Sequence, residues 1–133
     1  MIGLVLVTHG NIAEAFSIAV EHIVGPQRLI ETISINPADD LERCRQDMIK
    51  SIENVDEGKG VIILTDMFGG TPSNLSISVM KPGYIEVIAG INLPMLIKLI
   101  GVRGDNDIQK ALNEAANAGR KYINVASQLL LSK

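Results

Sequence analysis

The chain has 133 residues, 47% of them hydrophobic and 20% charged, with a formal net charge of −3. This is the composition of an ordinary soluble globular chain forming one domain, 1–133, and with no basic cluster, two Tyr, two Phe and no Trp it has neither the charge footprint nor the stacking platforms of a nucleic-acid binder. No apolar run is long enough to span a bilayer, no secretory pattern opens the chain, and one cysteine with two distant histidines offers neither an internal disulfide nor a zinc spacing, so a cytoplasmic protein with no metal and no membrane insertion is expected.

Short apolar runs alternate with longer helical patterns, which predicts parallel strands joined by helical crossovers, an α/β fold. The first strand is Ile2 to Val7, aliphatic enough to be central. A helix over Ile12 to Val24 carries Ile12, Phe16, Ala19, Val20 and Ile23 at helical spacing and stops at Gly25-Pro26. Glu14, Glu21 and His22 occupy its polar face, so His22 reads as a surface residue.

A second strand, Leu29 to Ile35, leads to a helix with Asn36 as N-cap and Pro37 at its first position, and with Leu41, Cys44, Met48, Ile52 and Val55 on one stripe. Cys44 is thus a core residue. The third strand, Val61 to Thr65, is as aliphatic as the first. Thr71-Pro72 repeats the cap-plus-proline signature and opens a helix to about Met80; a strand, Tyr84 to Ala89, follows. A short helix after Asn92-Leu93-Pro94 and a last one from about Asp105 to Gly119 complete the pattern, the last with Ile108, Ala111, Leu112 and Ala115 inward. The apolar tail Tyr122 to Leu131 reads as a further strand at an edge of the sheet or as a terminal helix.

Two polar residues stand at the carboxyl ends of the two central strands, where open α/β sheets keep their sites: His9 in Val5-Leu6-Val7-Thr8-His9-Gly10, and Asp66 in Ile63-Leu64-Thr65-Asp66. A neutral imidazole is a competent nucleophile toward phosphorus if one nitrogen is free and the other keeps its proton in a defined hydrogen bond. Asp66 is the natural acceptor of that proton, by the logic of the aspartate behind histidine in hydrolytic triads. Gly69-Gly70 turns the backbone with amides exposed, and the helix opening at Thr71 aims free N–H groups at the same place. Each residue also has a structural alternative: His9 as a polar loop residue, Asp66 as an acceptor of loop amides, Gly69-Gly70 as a tight turn, and Thr71 as an N-cap.

Three blocks carry a family resemblance: Val5-Leu6-Val7-Thr8-His9-Gly10, then Gly60 through Asn74 with its Asp-x-x-Gly-Gly-Thr-Pro-x-Asn core, then Glu86-Val87-Ile88-Ala89-Gly90-Ile91-Asn92-Leu93-Pro94-Met95-Leu96. In order and spacing the chain resembles enzyme IIA of the mannose family of the bacterial sugar phosphotransferase system. The resemblance implies an open, mostly parallel sheet with helices on both faces, and an antiparallel C-terminal edge strand that is exchanged in a homodimer, here Tyr122 to Leu131. It implies a phosphotransferase with a phosphohistidine intermediate: His9 accepts a phosphoryl group from the carrier protein HPr and passes it to a IIB component, expected on another chain. Asp66 orients His9, and Thr71 lies with Gly69 and Gly70 in the phosphate pocket. Docking of such partners calls for a flat, partly apolar rim, for which Met67, Phe68, Leu93, Pro94 and Met95 are the loop residues of the right type.

Two other readings accompany this one. The phosphotransfer subunit of a dihydroxyacetone kinase resembles the same fold, but the Gly-Gly-Thr-Pro block and the Asn-Leu-Pro-Met run favour the IIA reading. A non-catalytic interaction or sensor domain would leave His9 a structural residue. A histidine phosphatase fits less well, since Thr8 stands where that chemistry wants an arginine and no cationic clamp is evident.

Overall fold

Strands β1 (Gly3–His9), β2 (Ile30–Ile35), β3 (Val61–Thr65) and β4 (Ile85–Ala89) pair in the order β2-β1-β3-β4, and every pairing is parallel. The structure, a computed structural model, describes residues 1–131. Around the sheet lie α1 (Ile12–Val24), α2 (Leu41–Val55), α3 (Thr71–Ser78), α4 (Leu93–Val102), a 3₁₀ turn (Arg103–Asp105), α5 (Ile108–Lys121) and α6 (Ala126–Leu131).

The two-residue alternation of the central strands sorts the interior into two layers. Leu4 and Leu6 of β1 with Ile62 and Leu64 of β3 point to one face, where they meet Ala13 and Val20 of α1, Met95, Leu96 and Leu99 of α4, and Ala111 and Ala115 of α5. Val5, Val7, Val61 and Ile63 point to the other, against Cys44, Met48, Ile52 and Val55 of α2 and Leu75 of α3. Both faces of the sheet are therefore covered, which is why these strands are continuous apolar runs.

The chain winds from β1 outward to β2, then returns past β1 to β3, so β1 and β3 are neighbours at the point where the strand order reverses. The helices that follow them leave to opposite faces, α1 into one layer and α3 into the other. The carboxyl ends of β1 and β3 at this switch point are where open α/β sheets keep their sites.

Several boundaries differ from those expected. Asn36-Pro37 does not open α2: the N–H of Asn36 bonds the Asp39 carboxylate at 2.8 Å and the N–H of Asp39 bonds the Asn36 carbonyl at 3.1 Å, closing a turn. The cap is Asp40, whose side chain accepts from the N–H of Glu42, because proline is equally suited to a turn and an aspartate stands closer to the helix. Likewise Gly70, not Thr71, is the N-cap of α3; Thr71 is its first residue, and the helix ends at Ser78. Asp107 caps α5 through the N–H of Lys110. β1 runs on to His9 itself.

The tail corrects the expectation of an antiparallel edge strand. Ala126 to Leu131 is helical, no residue of it is buried, and the edge of β4 pairs with no further strand among the described residues. The β-branched residues Ile123 and Val125 lie ahead of it, whereas Ala126, Gln128 and Leu129 to Leu131 are good helix formers.

Candidate active site

His9 and Asp66 meet at the carboxyl ends of β1 and β3. The ring Nδ1 of His9 lies 2.7 Å from Oδ2 of Asp66, and the backbone N–H of His9 donates to the same oxygen at 3.0 Å. The other oxygen, Oδ1, accepts the N–H of Met67 at 3.0 Å. Burial pushes the Asp66 carboxyl up, but the hydrogen bonds from the His9 ring and backbone outweigh it, and the group titrates below the ordinary aspartate range. At neutral pH it is an ionised acceptor, so the proton of this bond belongs to His9 Nδ1. Nε2 then carries the free lone pair. The His9 side chain is 46% exposed and that of Asp66 only 16%, an accessible ring on a sheltered carboxylate.

The glycine turn and the start of α3 close the other side. Gly69 has φ +91°, a conformation that favours glycine. Gly70 sits against the His9 ring edge formed by Cε1 and Nε2. Thr71 follows as the exposed first residue of α3. The amides of Gly70 and Thr71 belong to the helix start, whose N–H groups lack intrahelical partners.

The five expected rim residues separate. Met67 and Phe68, directly after Asp66, are 56% and 76% exposed. Leu93 is half-buried against the core, and Pro94 lines a groove of about 580 Å³ with Ile97, Gly101, Val102, Ala118 and Tyr122 on the α4/α5 surface. Met95 is a correction: only 5% exposed, it packs its side chain against Gly119. The cause is Asn92, which caps α4 by accepting the Met95 N–H at 3.0 Å and donates to the Gly119 carbonyl at 2.9 Å, turning Met95 inward onto α5.

Two buried polar residues were invisible to motif reasoning. Arg103 is buried at the opposite, amino-terminal end of the sheet, where its guanidinium donates to the carbonyls of Leu29 and Arg28 and to Gln27 Oε1. Burial lowers its pKa to about 10, which leaves it charged at neutral pH, and it ties the chain entering β2 to the end of α4. Its only sequence signal is a cation directly after the helix Leu93 to Val102, which is apolar but for Lys98. Thr8 is fully buried beside His9, with hydrogen bonds to both His9 and α1.

The family profile EIIA-man, described as "PTS system fructose IIA component", matches residues 3–116. The chain is 34% identical over 92% of its length to the mannose-specific EIIAB component of the phosphotransferase system of Escherichia coli K12, and spans 38% of that longer protein. It is 36% identical to the sorbose-specific EIIA component of Lacticaseibacillus casei, covering 77% of this chain and 74% of that one. Among solved structures, the EIIA component of Streptococcus agalactiae superposes with a TM-score of 0.87 at 24% identity over 96% of this chain and 99% of the other, a likeness of fold. By profile and by identity, the chain belongs to the mannose-type EIIA family of the phosphotransferase system.

Proposed function

We propose that the chain is a phosphohistidine carrier that takes a phosphoryl group from phospho-HPr on Nε2 of His9 and passes it to a IIB component on another chain. The observation that carries this reading is the 2.7 Å contact between His9 Nδ1 and Asp66, which puts the ring proton on Nδ1 and the nucleophilic lone pair on Nε2. The Nε2 lone pair forms the new P–N bond as the donor's P–N bond breaks, and the donor imidazole keeps that electron pair. The Nδ1 proton stays on His9, so the ring becomes a cationic phosphoimidazolium held against the Asp66 carboxylate, as an imidazolium is held in a triad. Gly69, Gly70 and Thr71 supply amides, a helix start and a hydroxyl for the phosphoryl oxygens. Transfer to IIB reverses the same steps.

Met67 and Phe68, exposed in the loop directly after Asp66, are the docking contacts this reading assigns to both partners. The exposed apolar tail supports a homodimer, and no helix among the described residues is long and apolar enough to cross a membrane. The test is incubation with phospho-HPr followed by acid and base treatment. An acid-labile, base-stable phosphoryl group on the parent and none on His9→Ala is the expected result; undiminished labelling of His9→Ala removes His9 from the reaction.

A further inference from the structure

The hydroxyl of Thr8 lies, with no exposed surface, between the two backbone segments that aim His9. Its Oγ1 accepts the N–H of Ala13 at 2.7 Å and donates to the carbonyl of His9 at 3.2 Å. Ala13 belongs to the first turn of α1, whose N–H groups have no intrahelical partner, and the N-cap Asn11 makes no side-chain cap bond. Thr8 therefore caps α1 from the strand before it. On the other side of the His9 Cα, the His9 N–H is held by Asp66 at 3.0 Å. Side chains thus engage the backbone both before and after the imidazole. Gly10, at φ +51°, then turns the chain away toward α1.

We propose that Thr8 is a positioning residue for His9: its hydroxyl holds the His9 carbonyl against the start of α1, and so fixes the backbone from which the ring reaches Asp66 with Nδ1 and presents Nε2. This rests on the reading of His9 as the phosphoryl acceptor. A hydroxyl that served only as a helix cap would contribute to stability and leave the ring alone. A hydroxyl that positions the ring also governs how fully the Asp66 bond selects the Nδ1–H tautomer. Valine has nearly the same shape as threonine and supplies neither the donor nor the acceptor.

The experiment compares the parent, Thr8→Val and Thr8→Ser in three measurements, all well below each protein's unfolding temperature: nitrogen-15 resonances of the His9 ring across pH, the rate of phosphoryl acceptance from phospho-HPr, and the thermal midpoint. Thr8→Val is expected to shift the ring from a single Nδ1–H tautomer toward the mixture of a free imidazole and to slow acceptance by roughly ten- to a hundredfold, the range expected of a small misplacement. Thr8→Ser is expected to restore both. A valine variant with the parental tautomer and rate overturns the proposal whatever its thermal midpoint, and so does a serine variant as impaired as valine, which assigns the effect to the methyl group. Should Thr8→Val not fold, Thr8→Cys, close in volume but only a weak donor, takes its place with the same expected and overturning results. A parent that takes no phosphoryl group from phospho-HPr sinks the carrier reading instead, and the tautomer measurement still decides the role of Thr8.

Discussion

Gly70 is packed so closely against His9 that a β-carbon there would lie 2.8 Å from Cε1 and 3.3 Å from Nε2 of the ring. The backbone of Gly70, at φ −86° and ψ 173°, is open to any residue, so glycine is needed for space and not for conformation. Gly69 is the reverse case, with φ +91° and nothing within 4 Å of a built β-carbon. Gly70→Ala is therefore expected to fold without backbone strain and to accept phosphoryl groups on the order of ten- to a hundredfold more slowly, because the methyl displaces the nucleophilic edge. Gly69→Ala is expected to lower stability by about 1 kcal/mol through backbone strain, with a smaller effect on rate. Thermal unfolding and single-turnover labelling separate the two; a Gly70→Ala variant at the parental rate shows that the ring does not depend on that space.

Asp66→Asn keeps the shape of the acceptor and removes its charge. Phosphoryl acceptance is expected to fall by orders of magnitude, on the scale of about 10⁴ seen when a triad aspartate is so changed. A pH signature accompanies it. The folded carboxyl titrates below its unfolded value, so Asp66 contributes stability that is fully present above the ordinary aspartate pKa of about 3.9 and is lost as pH falls through the lower folded value. The stability difference between parent and Asp66→Asn should therefore shrink on acidification through that window. Melting curves taken from neutral pH downward check this, and a difference constant through the acid limb leaves Asp66 uncoupled from His9.

How much of this was legible follows from the range of the interactions involved. β3 and α1 were placed to the residue, because a strand buried on both faces and a helix ending in Gly25-Pro26 are written in local pattern. The pairing of His9 with Asp66 was legible from their places at two central strand ends, although 57 residues separate them. Local chemistry misled where two signals competed, as at Asn36-Pro37 against Asp40. Met95 looked like a loop residue because its burial comes from an Asn92 bond to Gly119, 27 residues away. Arg103 and Thr8 were missed for the same reason: their partners are mainly backbone carbonyls and amides, with Gln27 the one side chain, and all but the Thr8 contacts lie far along the chain.

Phe68 and Met95 make opposite predictions from the same loop-rim expectation. Phe68, 76% exposed, contributes little to the fold, so Phe68→Ala should leave stability within about 0.5 kcal/mol of the parent and raise the KM for phospho-HPr. Met95→Ala empties a buried site against Gly119 and should lower stability by about 2–5 kcal/mol, with phosphoryl transfer unchanged while the protein is folded. Denaturant midpoints and steady-state transfer assays read both. A Phe68→Ala variant with parental KM toward HPr moves the docking surface away from this loop.

The tail gives the prediction on assembly. Ile123 is 74% exposed and Leu130 76%, and with Tyr122, Val125, Leu129 and Leu131 they form an apolar segment that contributes no buried residue to its own subunit. So much exposed apolar surface in a short stretch marks an association site, and the edge of β4 beyond the Lys81–Ile85 bridge, which carries no further strand among the described residues, is a second surface that a neighbouring copy can cover. Because both core layers are complete without the tail, a chain ending at Lys121 should keep its secondary structure and its acceptance of phosphoryl groups. The full chain should sediment as a dimer at micromolar concentration, and the shortened one as a monomer. A full chain that sediments as a monomer overturns this, and so does a shortened chain that still dimerises, while the His9 and Asp66 chemistry stands apart from either result.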